Sequence, residues 1–325
     1  MVATRTPKPL PDAPTWPSLD HVPEGPFAVA FSGGADSTAL LQASLQLGPR
    51  RVHAIHINHS LQPAADDFEW HVRHLCRHWG VPLAVVRVQA RAARGQSPEE
   101  AARAARYPAL AQAALTHWPQ PLPTVWLAQH ADDQAESVLL AWSRGAGLGG
   151  LAAMPFSIGR HGVNFLRPWL SARGEDLRQT LRHIGTPWVE DPTNASSAYT
   201  RNRIRHQVLP VLESALPGSR ATLVRTARHA AQALQLLADL AELDAREVGL
   251  PPRIDALRQL PGHRQANVLR HWLASLGTQA QTSQMTELLR QLDACRTRGH
   301  RIELRVGSGH IRREGDRLAW LQSRV

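Results

Sequence analysis

The sequence predicts an α/β protein: a doubly wound, mostly parallel sheet, then a smaller, mainly helical domain that closes in a β-hairpin. Three observations carry this. Short apolar runs alternate with helical patterns through the first half of the 325 residues. After Pro217-Gly218 the strand-like runs give way to a long amphipathic pattern. The chain then ends on two alternating runs that flank Gly307-Ser308-Gly309.

The elements follow in order. Phe27 to Phe31 is short, apolar and led in by Pro26, which suits a buried strand. Ser37 to Gln46 combines good helix formers with apolar positions at Leu40, Leu41 and Leu45, so it reads as a helix. Val52 to Asn58 alternates as a second strand, and Asp66 to Trp79 reads as a helix. Leu83 to Val88 and Thr124 to Ala128 supply a third and a fourth strand. Between them Ser97 and Pro98 form a helix start ahead of EEAARAARY, and Pro108 should stop or kink that helix. Arg220 to Arg246 carries apolar residues three or four apart and reads as one long helix, with helical patterns continuing to about Leu292. The expected organisation is a flexible Pro-rich tail over 1–25, with a small packed segment at Trp16, then an α/β domain over 26–217 and a helical domain over 218–325.

Composition narrows the classes. Lys and Arg number 37 against 27 Asp and Glu, a net charge of +10 before any of the 17 His is protonated, which favours a polyanionic partner. Arg greatly outnumbers Lys, and its planar fork suits phosphate. The two cysteines, Cys76 and Cys295, form no CxxC pair, which argues against a disulfide scaffold, a Cys-rich zinc site or a CxxC-held cluster. No apolar run is long enough for a signal peptide or a membrane span, so a cytoplasmic protein is expected.

The chemistry gathers at the strand ends, where ligands of such sheets bind. The first strand runs into SGGADS, residues 32–37. A strand, a glycine turn and a helix aim backbone N–H groups and a positive dipole end at an anion. The adjacent glycines rule out GxGxxG, and the missing lysine rules out GxxxxGK[ST]. A phosphate site without that lysine needs another counter-charge, and Mg²⁺ held partly by Asp36 would supply it. The second strand ends in Asn58, His59 and Ser60, where an adenine or ribose would rest. Arg103 and Arg106 share one helix face and suit phosphate or RNA. After the fourth strand come His130, Asp133 and Glu136, spaced along one stripe of a helix, with Asp132 directed elsewhere. That set could bind Mg²⁺, bind a substrate amine or act as a base. The glycine-rich segment SRGAGLGG follows. Farther on, EDPTN makes a turn at Asp191 and Asn194, and Arg201, Arg203 and Arg205 crowd the segment after it.

SGGADS resembles the loop of the N-type ATP pyrophosphatases, the PP-loop enzymes, whose fold is of the adenine nucleotide alpha hydrolase type. Within them, AQHADDQAESVLL with its glycine segment, and above all RPWL, WVEDPTN and YTRNRIRHQVLP in that order, resemble the bacterial tRNA(Ile)-lysidine synthetases over roughly residues 27–217. Gln62, Gln129 and Ser137 depart from the family pattern. The resemblance implies ATP-dependent attachment of L-lysine to the wobble cytidine of a CAU-anticodon tRNA(Ile), with Mg²⁺ as cofactor. It implies that Ser32, Gly33, Gly34, Ala35, Asp36 and Ser37 cradle ATP together with Asn58 and His59, and that Asp36 and Asp133 hold the metal. Arg106 would stabilise charge on the phosphates, and His130, Asp133 and Glu136 would receive lysine or its proton, unranked. Arg103, Asp191, Asn194, Arg201, Arg203 and Arg205 would contact tRNA or substrate. Rival readings are tRNA 2-thiolation, disfavoured by the lack of paired cysteines, and a non-catalytic tRNA- or nucleotide-binding module. The sequence leaves monomer and homodimer open.

Overall fold

A computed structural model describes residues 16–58, 65–88, 98–297 and 300–322. Elements within it are β1 (Phe27–Ala30), α1 (Ala35–Leu45), β2 (Val52–Asn58), α2 (Ala65–Trp79), β3 (Leu83–Arg87), α3 (Pro98–Thr116), β4 (Thr124–Trp126), α4 (Ala131–Ser143), α5 (Leu148–Leu151), β5 (Ser157–Arg160), β6 (Val163–Leu166), α6 (Gly174–Ile184), α7 (Thr200–Arg203), α8 (Leu209–Ala215) and α9 (Ser219–Val248). The remainder is α10 (Ile254–Gln259), α11 (Gly262–Ser275), α12 (Thr282–Ala294), β7 (Glu303–Val306), β8 (Gly309–Glu314) and β9 (Arg317–Gln322).

The main sheet has the order β3-β2-β1-β4-β6-β5. Neighbours β3, β2, β1, β4 and β6 run parallel, and β5 closes the edge antiparallel to β6. The chain winds outward from β1 to β3 and then returns to place β4 on the other side of β1, so the order reverses between β1 and β4. That reversal leaves a crevice beyond their carboxyl ends, because the connections leave in opposite directions.

Alternation along β1 sorts the two faces. Phe27, Val29 and Phe31 join Leu40, Leu41, Val72, Trp126, Trp169, Leu177 and Leu181 in one buried layer under α1, α2 and α6. Ala28 points the other way and packs with Ile55, Tyr107, Leu110, Ala114, Val125 and Phe165 under α3. The segment from Trp16, assigned on sequence to the tail, lies on the first layer: Trp16 stacks on Trp169 at 6.0 Å, and the Trp169 indole N–H donates to the Pro17 carbonyl at 3.3 Å.

One expectation is narrowed and one element was missed. Pro108 does not stop α3, which continues to Thr116. Tyr107, Ala109, Leu110, Ala111, Ala113 and Ala114 are all buried along that helix, and this packing outweighs the hydrogen bond that proline forgoes. The β5–β6 hairpin was not foreseen, because SIGR is short, largely exposed and carries no apolar alternation. Its turn uses positive φ at His161 (53°) and Gly162 (78°).

The chain divides into two compact units, 1–229 and 230–325, with the division inside α9 rather than ahead of it at Gly218. The second unit has its own core, in which Leu257, Leu269, Trp272, Leu273, Leu288 and Leu292 pack with Val306, Ile311 and Leu318 of a three-stranded antiparallel sheet. The expected hairpin is the β7–β8 part of that sheet; β9 adds the third strand.

Leu177 is fully buried between α6 and the sheet. Leu177→Ala should lower stability by about 2–5 kcal/mol through the cavity it leaves, read as a reduced urea midpoint.

Candidate active site

The loop after β1 is built for close approach. Gly33 has φ 87°, a conformation that strains any other residue, and a Cβ there would crowd the methyls of Val72 and Val189 at 3.1 and 3.2 Å. Its carbonyl accepts the Val189 N–H at 3.0 Å, which ties the loop to the extended segment after α6. Ser37 Oγ lies 3.0 Å from Ser32 Oγ and donates to the Gly34 carbonyl at 3.0 Å, drawing the turn together. Gly34 precedes α1 and makes no side-chain cap. The positive end of α1 thus opens toward the crevice with Asp36 in its first turn.

The loop after β4 meets it there. His130 is the N-cap of α4, buried with 1% of its surface exposed, and its backbone N–H donates to Asp133 Oδ2 at 3.0 Å. Its Nε2 lies 3.3 Å from Asp36 Oδ2 and 3.7 Å from Asp133 Oδ2, so carboxylates from both loops converge on one nitrogen. On the other ring edge, Nδ1 faces the Asp132 backbone N–H at 3.3 Å and Asp132 Oδ2 at 3.5 Å. The first contact suits a neutral ring and the second a doubly protonated one. Burial resists the charged ring, but Asp133, Asp36 and Asp132 outweigh it and push the imidazole up to about 9. The reciprocal effect holds Asp36 below the usual carboxylate range: burial would raise it, and His130 and then Arg178 and Arg205 override that.

Arginines from later elements balance these acids. Glu136 is fully buried; Arg201 Nε and Arg205 Nε each donate to it at 2.6 Å. The same two guanidinium groups reach Asp133 Oδ1 at 3.0 and 3.3 Å. Asp132 accepts the Gly174 N–H at 3.0 Å and an N–H from Arg220 of α9. Arg178 of α6 lies 3.5 Å from Asp36 Oδ1.

The sequence-predicted residues fall into three groups. Asp36, His130, Asp133 and Glu136 meet in one cluster with Arg201 and Arg205. Others have described contacts or exposure of a different kind. Asn58 is buried and its amide donates to Glu69 Oε2 at 3.0 Å, so it faces a structural carboxylate. Glu69 is further bonded by Arg73 and Arg87, and these donors, opposing its burial, hold it at about 2. Asp191 caps a turn through the Thr193 N–H at 2.9 Å, and the Asn194 carbonyl faces His206 Nε2 at 2.9 Å. Arg203 braces the Ser197 and Ala198 carbonyls. Arg106 is on the exposed side of α3. His59, and the Arg103 side chain, lie outside the described residues.

Sequence reasoning missed Asp132, Gly174, Arg178 and Arg220. Helical spacing directs Asp132 away from His130, but His130 precedes the helix, and an N-cap ring folds back over the first turn. Gly174 carried no signal; a Cβ there would stand 2.7 Å from His130 Cε1 and 2.9 Å from Asp132 Oδ2.

Strand order, glycine loop and acidic pair together define a nucleotide-binding domain of the PP-loop class, and residues 16–212 match the family model for the PP-loop domain. Residues 253–319 match that for the TilS substrate binding domain. The tRNA(Ile)-lysidine synthase of Polaromonas naphthalenivorans is 52% identical over 91% of this chain and 89% of its own length. Those of Bordetella pertussis and Burkholderia pseudomallei are 40% and 39% identical, covering 92% and 63% of their lengths and 89% and 93% of this chain. The chain belongs to the tRNA(Ile)-lysidine synthase family. Its fold is also that of a U34-tRNA thiolase from Methanococcus maripaludis, with TM-score 0.53 at 16% identity, over 62% of this chain and 71% of that one.

Glu136→Gln should leave two guanidinium groups beside a neutral amide and lower stability by about 3 kcal/mol, measured by urea denaturation.

Proposed function

We propose that this chain joins lysine to C2 of the wobble cytidine in a CAU-anticodon tRNA(Ile), using ATP and releasing AMP and pyrophosphate. The observation that carries the reading is the meeting of Asp36 and His130 at 3.3 Å where the strand order reverses, with the glycine loop on one side and Asp133 on the other. Two half-reactions are required. The C2 carbonyl is a poor electrophile, so its oxygen first attacks the α-phosphorus of ATP; the α–β bridging bond breaks and pyrophosphate leaves. The lysine ε-amine then attacks C2, the C2–O bond breaks with AMP departing, and the amine sheds its protons.

The chain's own groups suit these needs. The Ser32–Ser37 turn and the positive end of α1 receive the phosphates, which lets pyrophosphate depart as an anion. Asp36 fits a Mg²⁺ ligand: it is partly exposed toward the crevice, and its Oδ1 is buried with no hydrogen-bond partner. Asp133 is the second carboxylate on that side, with both oxygens already engaged by the His130 N–H and the arginines. Bound Mg²⁺ would neutralise phosphate charge as pyrophosphate leaves. His130 holds the two carboxylates together. Glu136 acts through Arg201 and Arg205, a positioning role. The loop-borne cytidine must unstack to reach the crevice, as single-stranded bases do when bound by proteins.

Lysine's amine has an ordinary pKa of about 10.4 and must be neutral to attack. A carboxylate at the crevice would both attract its ammonium form and accept its proton. Sulfur transfer is not favoured: Cys76 is buried with its thiol pushed up to about 12 by desolvation, and Cys295 is buried in the second unit.

Radiolabelled lysine, ATP, Mg²⁺ and a CAU-anticodon tRNA(Ile) transcript should give label on RNA that depends on ATP and disappears when the wobble cytidine is changed. Folded protein with competent tRNA and no label would overturn the reading. Asp36→Ala should abolish adenylation, scored as ATP–pyrophosphate exchange in the presence of tRNA, while tRNA binding by filter retention stays within about twofold, since a single anionic side chain adds nothing to backbone phosphate contacts.

A further inference from the structure

The glycine loop contains no lysine, and a tetra-anionic triphosphate next to Asp36 carries more negative charge than a helix end, about half an elementary charge, and one Mg²⁺ together offset. Among the described residues, Arg178 is a cation beside Asp36 that can help meet this need. It projects from α6 with its guanidinium 3.5 Å from Asp36 Oδ1, and about a third of its side chain is exposed. Glu175, one turn earlier, engages Arg182 at 2.9 Å, so Arg178 is not its closest partner.

The position of Arg178 is set by the fold. Leu177 and Leu181 on the same helix are fully buried in the layer that holds α1. Thr186, just past α6, donates its hydroxyl to Gln42 Oε1 of α1 at 2.9 Å. The strap that follows reaches the loop itself, where the Val189 N–H meets the Gly33 carbonyl at 3.0 Å. Helix, strap and loop therefore form one braced assembly, and Arg178 is its cationic edge. The other arginines at the cluster are committed: Arg201 and Arg205 to Glu136 and Asp133, Arg220 to Asp132.

We infer that Arg178 is a further catalytic residue, the cation that contacts the β- and γ-phosphates of ATP and then the departing pyrophosphate. The inference rests on the function proposed above. Guanidinium geometry allows two parallel hydrogen bonds to adjacent phosphate oxygens. In the adenylation step the bond between the α-phosphorus and its bridging oxygen breaks and the electron pair goes to pyrophosphate, and Arg178 stands where that charge collects.

The test compares the wild type, Arg178→Met, which keeps the apolar stem, and Arg178→Lys, which restores the charge. Calorimetry with ATP, pyrophosphate and AMP should show binding of ATP and pyrophosphate weakened roughly 10- to 100-fold in the Met variant, the range expected for a lost hydrogen bond to a charged group. AMP, which lacks the β- and γ-phosphates, should bind as in the wild type. In ATP–pyrophosphate exchange the Met variant should show a raised KM for pyrophosphate and a lowered kcat, with partial recovery in the Lys variant. Equal loss for ATP and AMP would assign Arg178 to shaping the loop and overturn the inference. So would unchanged phosphate binding with an altered Mg²⁺ requirement, which would make Arg178 a partner of Asp36 alone. A melting curve matching the wild type shows that the variant is folded. Wild-type protein without ATP-dependent lysine ligation would defeat the proposed function, whereas active wild type with an indistinguishable Met variant would defeat only this inference.

Discussion

Three carboxylates surround one buried imidazole, and the rest of the site is arranged to make that tolerable. Asp36, Asp132 and Asp133 all approach the His130 ring within 3.7 Å. Carboxylates so close in a desolvated setting repel strongly, and one would ordinarily take up a proton. Here His130 and four arginines from other elements offset them: Arg178 from α6, Arg201 and Arg205 around α7, and Arg220 from α9. The three acids all precede the four arginines in the chain, the last acid being Asp133 and the first arginine Arg178. The site is therefore complete only when the chain has folded back over the sheet.

That arrangement explains the packing around it. His130 must lie at a helix start to turn its ring over the first turn, and its backbone pairs with Trp169 in a short bridge. Trp169 is fully buried and carries Trp16 on its face, so even the N-terminal segment supports the crevice floor. Gly174 lies against the His130 ring with no room for a methyl group, and its N–H fixes Asp132. Arg167 extends the same principle behind the site. It is buried, yet satisfied by Gln129, the Pro155 carbonyl and the Tyr107 hydroxyl, so it bridges β6, the β4 loop and α3 without an unpaired charge.

Polar pairing near the crevice is dense, and this separates residues that hold the site from residues that can meet a ligand. Glu136 has no exposed surface and two short hydrogen bonds, so it is part of the frame. Asn58 and Glu69 make a similar frame at the end of β2. Asp36, with an unsatisfied oxygen and partial exposure, and Arg178, beside it, face the crevice.

Much of the scaffold was legible in the residues. Alternation along VHAIHIN, the short apolar run at FAVAF and the amphipathic period after Gly218 each report a local preference, and local preferences survive into the fold. SGGADS was readable because its geometry is local: glycines for the turn and an acid at the helix start. Spacing alone could not place Asp132, which an N-cap geometry turned toward His130, nor foresee that burial would carry α3 through Pro108. It could not pair Glu136 with Arg201 and Arg205, some seventy residues later, because a charge pair formed across a fold leaves no period in the sequence. By itself the sequence determined the layered α/β architecture and the glycine turn of the PP-loop domain, since these follow from short-range periodicity and turn geometry. Only the tertiary structure decided which acid stays open to the crevice, which is locked by arginine and which arginine stands beside Asp36, because those outcomes depend on which distant side chains burial brings within a few ångströms.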